Sequence, residues 1–236
     1  MAIPRDLTGS NPFAGDDGSI EPALAYALTQ PEELRAKAVV SALGRVLVPV
    51  VPHPHPGRDA DGGVVEHEKV VANACGTDDD SLVKIPFPGG RDSLVVFSSA
   101  QAMAAWNPQA RPVPANIMTV ASEALRLEIG LISLDPGLPS QMLIGRSAVV
   151  ALATRTPWRA PWEDSHLAGI LNDGLGDDAR VRLIPGIDGT AVIELVVENA
   201  DKHGVLVLIA ALTSLIESDE YLKARLDAVE IRPVLS

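Results

Sequence analysis

Apolar residues along this chain recur at two spacings, one helical and one extended, and the switches between them outline the fold. The run QPEELRAKAVVSALGR, from residue 30, places Leu34, Ala38 and Ala42 on one helical face with Val39 and Leu43 beside it. Pro31 suits the first helical position, Glu32 and Glu33 complement the positive helix end, and Gly44 reads as the C-cap. An unbroken apolar run at 46–51 predicts a strand. Two more strands, at 82–87 and 94–97, flank PGGRDS, and this turn chemistry predicts an antiparallel hairpin. The second of the two is apolar throughout, which places it inside the sheet. Val120, Ala124, Leu127 and Leu131 return to helical spacing, with Thr119 as candidate N-cap and Gly130 as the stop. Short strands follow in LISLD and QMLIG, around the turn PGLPS, and then a helix over RSAVVALATR. The remainder reads strand, strand, helix, strand, at 181–185, 191–198, 205–224 and 228–234.

This pattern divides the chain. Residues 1–21 are rich in Gly, Pro, Asp and Ser and read as an arm, which Phe13 of NPFAGDDG anchors to the main body. Residues 22–160 form an α/β (α+β) domain, a mixed sheet with helices packed on it. TPWRAPWED and the Gly/Asp stretch after it give a linker over 161–177. Residues 178–236 form a small C-terminal ββαβ unit. Its apolar helix needs a partner surface, so it either completes the same body or mediates self-association.

Composition narrows the function classes. Apolar residues make up 47 % of the chain and aromatic ones only 3 %, so the core is aliphatic and base-stacking platforms are disfavoured. The net charge of −12 argues against nucleic acid and against anionic membranes, since both demand a cationic face. The single cysteine, Cys75, allows no intrachain disulfide and fits a reducing cytoplasm. The start, MAIPRDLTGSNPF, shows no secretory signal pattern, and the longest apolar run, at 205–216, is too short to span a bilayer.

The candidate chemistry centres on SSAQAMAAWNPQARPVP, residues 98–114. Ser98 and Gln101 have the S-x-x-Q spacing of a capping box, and Ala102, Met103 and Trp106 share a helical face. Trp106 is therefore a core anchor, Asn107-Pro108 a helix stop and RPVP an extended strand. A nucleophilic serine would want small glycine flanks and a nearby base, and no His or Asp suggests itself. Arg111 either pairs with an acid to pin the turn, the favoured reading, or stands exposed as a contact. Trp106 and Arg111 are thus the first candidates for a ligand or partner.

A second candidate is the loop PHPHPGRDADGGVVEHEK. Its His53, His55, His67, Asp59 and Asp61 are metal-ligating types, but the spacing is irregular and the backbone lacks a rigid element to fix ligand geometry. It reads as a solvent-exposed loop. Asp78–Asp80 lack the spacing of a calcium loop, and no phosphate-cradling or dinucleotide-binding glycine motif follows a strand, so no cofactor is implied. The aspartates after Cys75 disfavour a reactive thiolate.

The chain resembles the SseB family, named for enhanced serine sensitivity, in its actinobacterial form. The resemblance rests on NPFAGDDG, ALGRVLVPVV, LVVFSSAQAMAAWNPQARPVP, LDPG, GRSAVVALA and TPWRAPWED, and covers roughly residues 11 to 164. It implies a cytoplasmic α/β protein with no agreed enzymatic activity and no catalytic motif to carry over. The expectation is a non-enzymatic protein that binds another protein or its own copy. A module that binds or transforms an amino-acid-related metabolite is the alternative, and a metal-binding His/Asp loop a weaker one.

Overall fold

A computed structural model of the chain describes residues 12–51, 82–87, 90–177, 179–186, 189–197, 201–226 and 228–235. The fold is α+β, as the hydrophobic pattern predicts. The central sheet has the order β2-β3-β5-β6, with β2 at Lys84–Phe87, β3 at Arg91–Val96, β5 at Ile132–Leu134 and β6 at Met142–Ile144. β2 and β3 form the expected antiparallel hairpin; β3 and β5 run parallel. A two-stranded ribbon, β1 (Arg45–Val50) and β4 (Arg111–Asn116), is stapled to the end of β3 by reciprocal Leu47–Phe97 backbone bonds of 2.9 and 2.8 Å. Helices α1 (Pro22–Leu28), α2 (Glu32–Ala42), α4 (Ile117–Arg126) and α5 (Arg146–Thr154) cover the first core, and α3 (Ala100–Trp106) a satellite core around Phe97.

Several boundaries differ from the sequence reading. α1 is an addition: Pro22 starts it, and Leu24 and Ala27 bury one side of its two turns. In α2 the buried face is Ala36, Val39 and Val40, which join the first core, while Leu34 is 57 % exposed. Pro31 is the N-cap of that helix, and Leu43, rather than Gly44, its C-cap. α4 starts early, since Asn116, not Thr119, caps it by accepting from the Met118 amide at 2.9 Å. It also stops early, as Glu128 turns left-handed (φ 58°), and Leu131 leaves the helix for the core beside β5.

The stretch read as a linker, 161–177, folds. A 3-10 turn at Pro161–Glu163 leads into α6, Ser165–Leu175, whose Leu167, Leu171 and Leu175 are buried at helical spacing. α6 belongs to a second core with the sheet β7 (Arg180–Pro185), β8 (Ala191–Val197) and β9 (Val229–Leu235), and with α7 (Lys202–Ser218) and α8 (Glu220–Arg225). The single C-terminal helix of the sequence reading is thus two. Asp219 ends α7 and caps α8, accepting from the Tyr221 and Leu222 amides. Trp162 packs against both cores and so links the two units.

Candidate functional site

The sharpest polar constellation grows from the ends of the parallel strands. Ser98 lies just beyond β3 and Asp135 just beyond β5, the place where α/β folds commonly present chemistry. Asp135 is fully buried and left-handed at φ 49°. Its carboxylate accepts from the Ser98 amide at 2.8 Å, the Ser98 hydroxyl at 2.7 Å and the Ser140 hydroxyl at 2.7 Å. A buried carboxylate demands such donors, and here three supply it. The aspartate that the sequence reading did not find beside Ser98 therefore exists, 37 residues along, in the LDPG run. An apolar strand ending in Asp before Pro-Gly was the available signal.

This contact also moves the helix cap. Ser99, not Ser98, caps α3, its hydroxyl accepting from the Ala102 amide at 3.1 Å. Ser98 looks inward instead, with its hydroxyl proton committed to Asp135. The buried pair ties the ends of β3 and β5 together.

Behind the clamp sits Arg45, itself almost wholly buried. Its Nε meets the Asp16 carboxylate at 2.7 Å, its Nη1 donates to the Ser98 carbonyl at 3.2 Å and its Nη2 to the Ser19 carbonyl. The Arg45 amide donates to Glu21 at 2.9 Å. Thus Arg45 fixes the acidic run of the arm. Gly18 completes the fit: its φ is 75°, its carbonyl accepts from the Ala100 amide, and a Cβ there would lie 2.9 Å from that of Ala100.

Trp106 is half-buried, its ring 5.3 Å from that of Phe97, which makes it the anchor its spacing predicted. Arg111 is exposed at the start of β4 and makes no ion pair among the described residues, so the favoured structural pairing is not found there. The RPVP run has a different logic. Because Leu47 turns its backbone towards Phe97, Pro114 and Pro112 turn their imide nitrogens outward along the free edge of β4. Pro86 does the same on β2, and the edge strand β9 carries Pro233. Prolines so placed discourage strand addition by another chain.

His53, His55, Asp59, Asp61 and His67 lie outside the described residues. Among the described residues no group of three or more His, Cys, Asp or Glu is close enough to hold a metal, and no helix is long and apolar enough to cross a membrane.

A second polar cluster joins the two units. Asp164, buried, caps α6 and accepts from the Tyr221 hydroxyl at 2.8 Å and Arg225 Nη2 at 3.3 Å. Burial opposes its ionisation, yet the Tyr221 hydroxyl, the Leu167 amide and the Arg225 charge together hold its carboxyl below the usual range. Burial and the same carboxylate push the Tyr221 phenol up. Arg225 also donates to the Arg159 carbonyl at 2.8 Å, and Trp158 stacks edge-on against Trp162 at 5.7 Å. TPWRAPWED is the joint of the molecule.

Other features of the described residues stand open. A groove of about 520 Å³ runs between the ends of α2, α4 and α5, lined by Asn116, Met118, Arg155 and Trp158 among others. And α7 leaves much of its apolar surface uncovered: only Leu212 and Ile216 are buried, while Leu206 and Val207 are 54 % and 53 % exposed.

Comparison with known proteins gives one family. The model of the SseB protein N-terminal domain matches residues 20–151, more than half of the chain. No curated protein matches it. No solved structure matches it either. The matched span holds β1 to β6, Arg45, the Ser98–Asp135 clamp, Trp106 and Arg111, and ends before the joint and the second core. On that match, the chain belongs to the SseB family.

Proposed function

We propose that this protein works in the cytoplasm by binding protein rather than by catalysis, and that the exposed face of α7 is the contact surface. The observation that carries the reading is that Leu206 and Val207, successive residues of a 17-residue helix, are each more than half exposed. Adjacent exposed aliphatic side chains cost solvation free energy and mark contact surfaces. The polar groups best suited to chemistry support the reading from the other side. Ser98, Asp135 and Arg45 are buried and use their hydrogen bonds on one another and on the arm. Arg111, exposed beside the half-exposed Val113, offers a secondary polar contact.

The test is affinity capture from a lysate of the native host, wild type beside Leu206→Glu/Val207→Glu. Both positions are exposed, so the variant keeps its fold. Loss of the retained proteins is expected; retention unchanged by the variant overturns the reading.

One observation favours the small-molecule alternative. The groove beside Arg155 lies within the size range of ligand pockets, and its Trp158 face and guanidinium suit a small apolar carboxylate. A thermal-shift panel of amino acids and related acids, wild type against Arg155→Ala, tests it. A shift lost in the variant favours this reading, and no shift with any member removes it.

A further inference from the structure

We infer that the occupant of the α7 face is a second copy of this chain, docked so that the two α7 helices run antiparallel with a two-fold axis at Ala210. This rests on the protein-binding reading and names its partner. Three features of the helix carry it.

The first is spacing. His203, Leu206, Ala210, Thr213 and Glu217 are all exposed and fall at intervals of three, four, three and four residues, the seam of a helix pair. Small Ala210 lies at the centre and lets two backbones approach closely.

The second is shape. The N-terminal half of the stripe protrudes through Leu206, whereas the C-terminal half borders a recess. Thr213, Ile216 and Glu217 line a groove of about 400 Å³ whose other walls are Leu226, Val229, Ile231, Arg91 and Lys223. An axis at Ala210 sets Leu206 of the partner subunit opposite Ser214, next to Thr213 at the rim of that recess. A two-fold interface must be self-complementary, and here one face carries both the knob and the hole.

The third is charge. The first turn of α7 holds Lys202 and His203 and no acid; the last turn holds Glu217 and no base. Asp201 commits its carboxylate to the cap, accepting from the Gly204 amide at 2.8 Å. Both placements oppose the macrodipole of the helix itself. Antiparallel pairing places His203 of the partner subunit opposite Glu217, with Lys202 of the partner subunit beside it, so charges that oppose the dipole of their own helix meet opposite charge across the axis. The proline-bearing edges of β2, β4 and β9 leave a helical face as the open route to association.

The experiment is sedimentation equilibrium of the full chain from about 1 to 200 μM, a range that brackets micromolar association. Wild type is expected to shift from monomer to dimer. Glu217→Lys and Lys202→Glu should each weaken dimerisation at least about tenfold, and the double variant should recover it. Each single change suits the macrodipole, so neither threatens folding. In a Cys75→Ser background, Ala210→Cys should oxidise to a covalent dimer. Lys202→Cys should not, since eight residues of helix from the axis set the two copies about 24 Å apart. A monomer throughout the range overturns the proposal, as does a dimer indifferent to both charge changes or an Ala210→Cys variant that stays uncrosslinked. If the dimer is absent while lysate capture still depends on Leu206 and Val207, only the identity of the partner fails. If both are lost, the protein-binding reading fails with it.

Discussion

Replacing Arg45 with Met removes the charge and keeps most of the aliphatic stem. The guanidinium is almost wholly buried and holds Asp16, itself only 12 % exposed, at 2.7 Å. Removing one member of such a pair strands the other's charge, which costs about 3–5 kcal/mol. For a protein of this size each kcal/mol lowers the melting temperature by about 2–4 °C, so Arg45→Met should melt about 6–20 °C below wild type. Asp16→Asn should cost less, about 1.5–3 kcal/mol, the scale of a hydrogen bond to a charged group, because the Ser98 and Ser19 carbonyls still receive Arg45. Since both variants break the same contact, the double variant should cost at least about 1 kcal/mol less than the sum of the singles. Urea unfolding of the four proteins gives these differences. Limited proteolysis adds a local readout, with cleavage near residues 12–19 rising in each variant as the arm is released. A loss under about 1 kcal/mol for Arg45→Met, or strict additivity, would refute the claim that Arg45 fastens the arm to the strand ends.

Ser98→Ala should destabilise by about 1.5–3 kcal/mol, as it takes a donor from the buried Asp135, whereas Ser99→Ala should cost about 1 kcal/mol as an ordinary helix cap; equal losses in urea unfolding would contradict the assignment of clamp and cap. Asp164 has a folded pKa below its unfolded value, so its contribution is complete above about pH 4 and is lost as pH falls through the folded value. Asp164→Asn should therefore flatten the stability–pH curve below pH 4, and an unchanged acid limb in a pH series of unfolding curves would count against the joint. Gly189→Ala should cost more than about 1 kcal/mol by thermal unfolding, because its φ is 88° and the new Cβ would lie 2.7 Å from the Leu143 carbonyl oxygen of the other unit; a neutral result would mean that the units do not meet there.

The sequence carried the strands and the long helices because their signals are local. The hairpin of β2 and β3, the ends of β5 and β6 and the extended RPVP could be read from runs of five or six residues. Much of what it hid was non-local. Ser98 reads as a cap from its neighbours alone, since S-x-x-Q is present, and only the fold brings Asp135 to it. Leu34 shares a helical face with Ala38 and Ala42 in sequence, yet packing in the first core turns the Ala36–Val39–Val40 face inward. α6 was lost to its own composition. Gly169, Gly174 and Asp173 suggest a linker, while the leucines at 167, 171 and 175 keep helical spacing. The candidate site divides the same way. Trp106 was legible as an anchor, but the exposure of α7 was not, because an apolar helix looks alike whether its partner is its own sheet or another molecule.

The most direct test of the central claim, that α7 is the working surface, is photo-crosslinking inside the native host from a photoreactive residue at 207. Leu34, equally exposed and apolar but on α2, is the control position. The account predicts a discrete protein adduct from position 207, the chain's own dimer among the products, and none from position 34. Equal adducts from both positions, or none from 207, would contradict it.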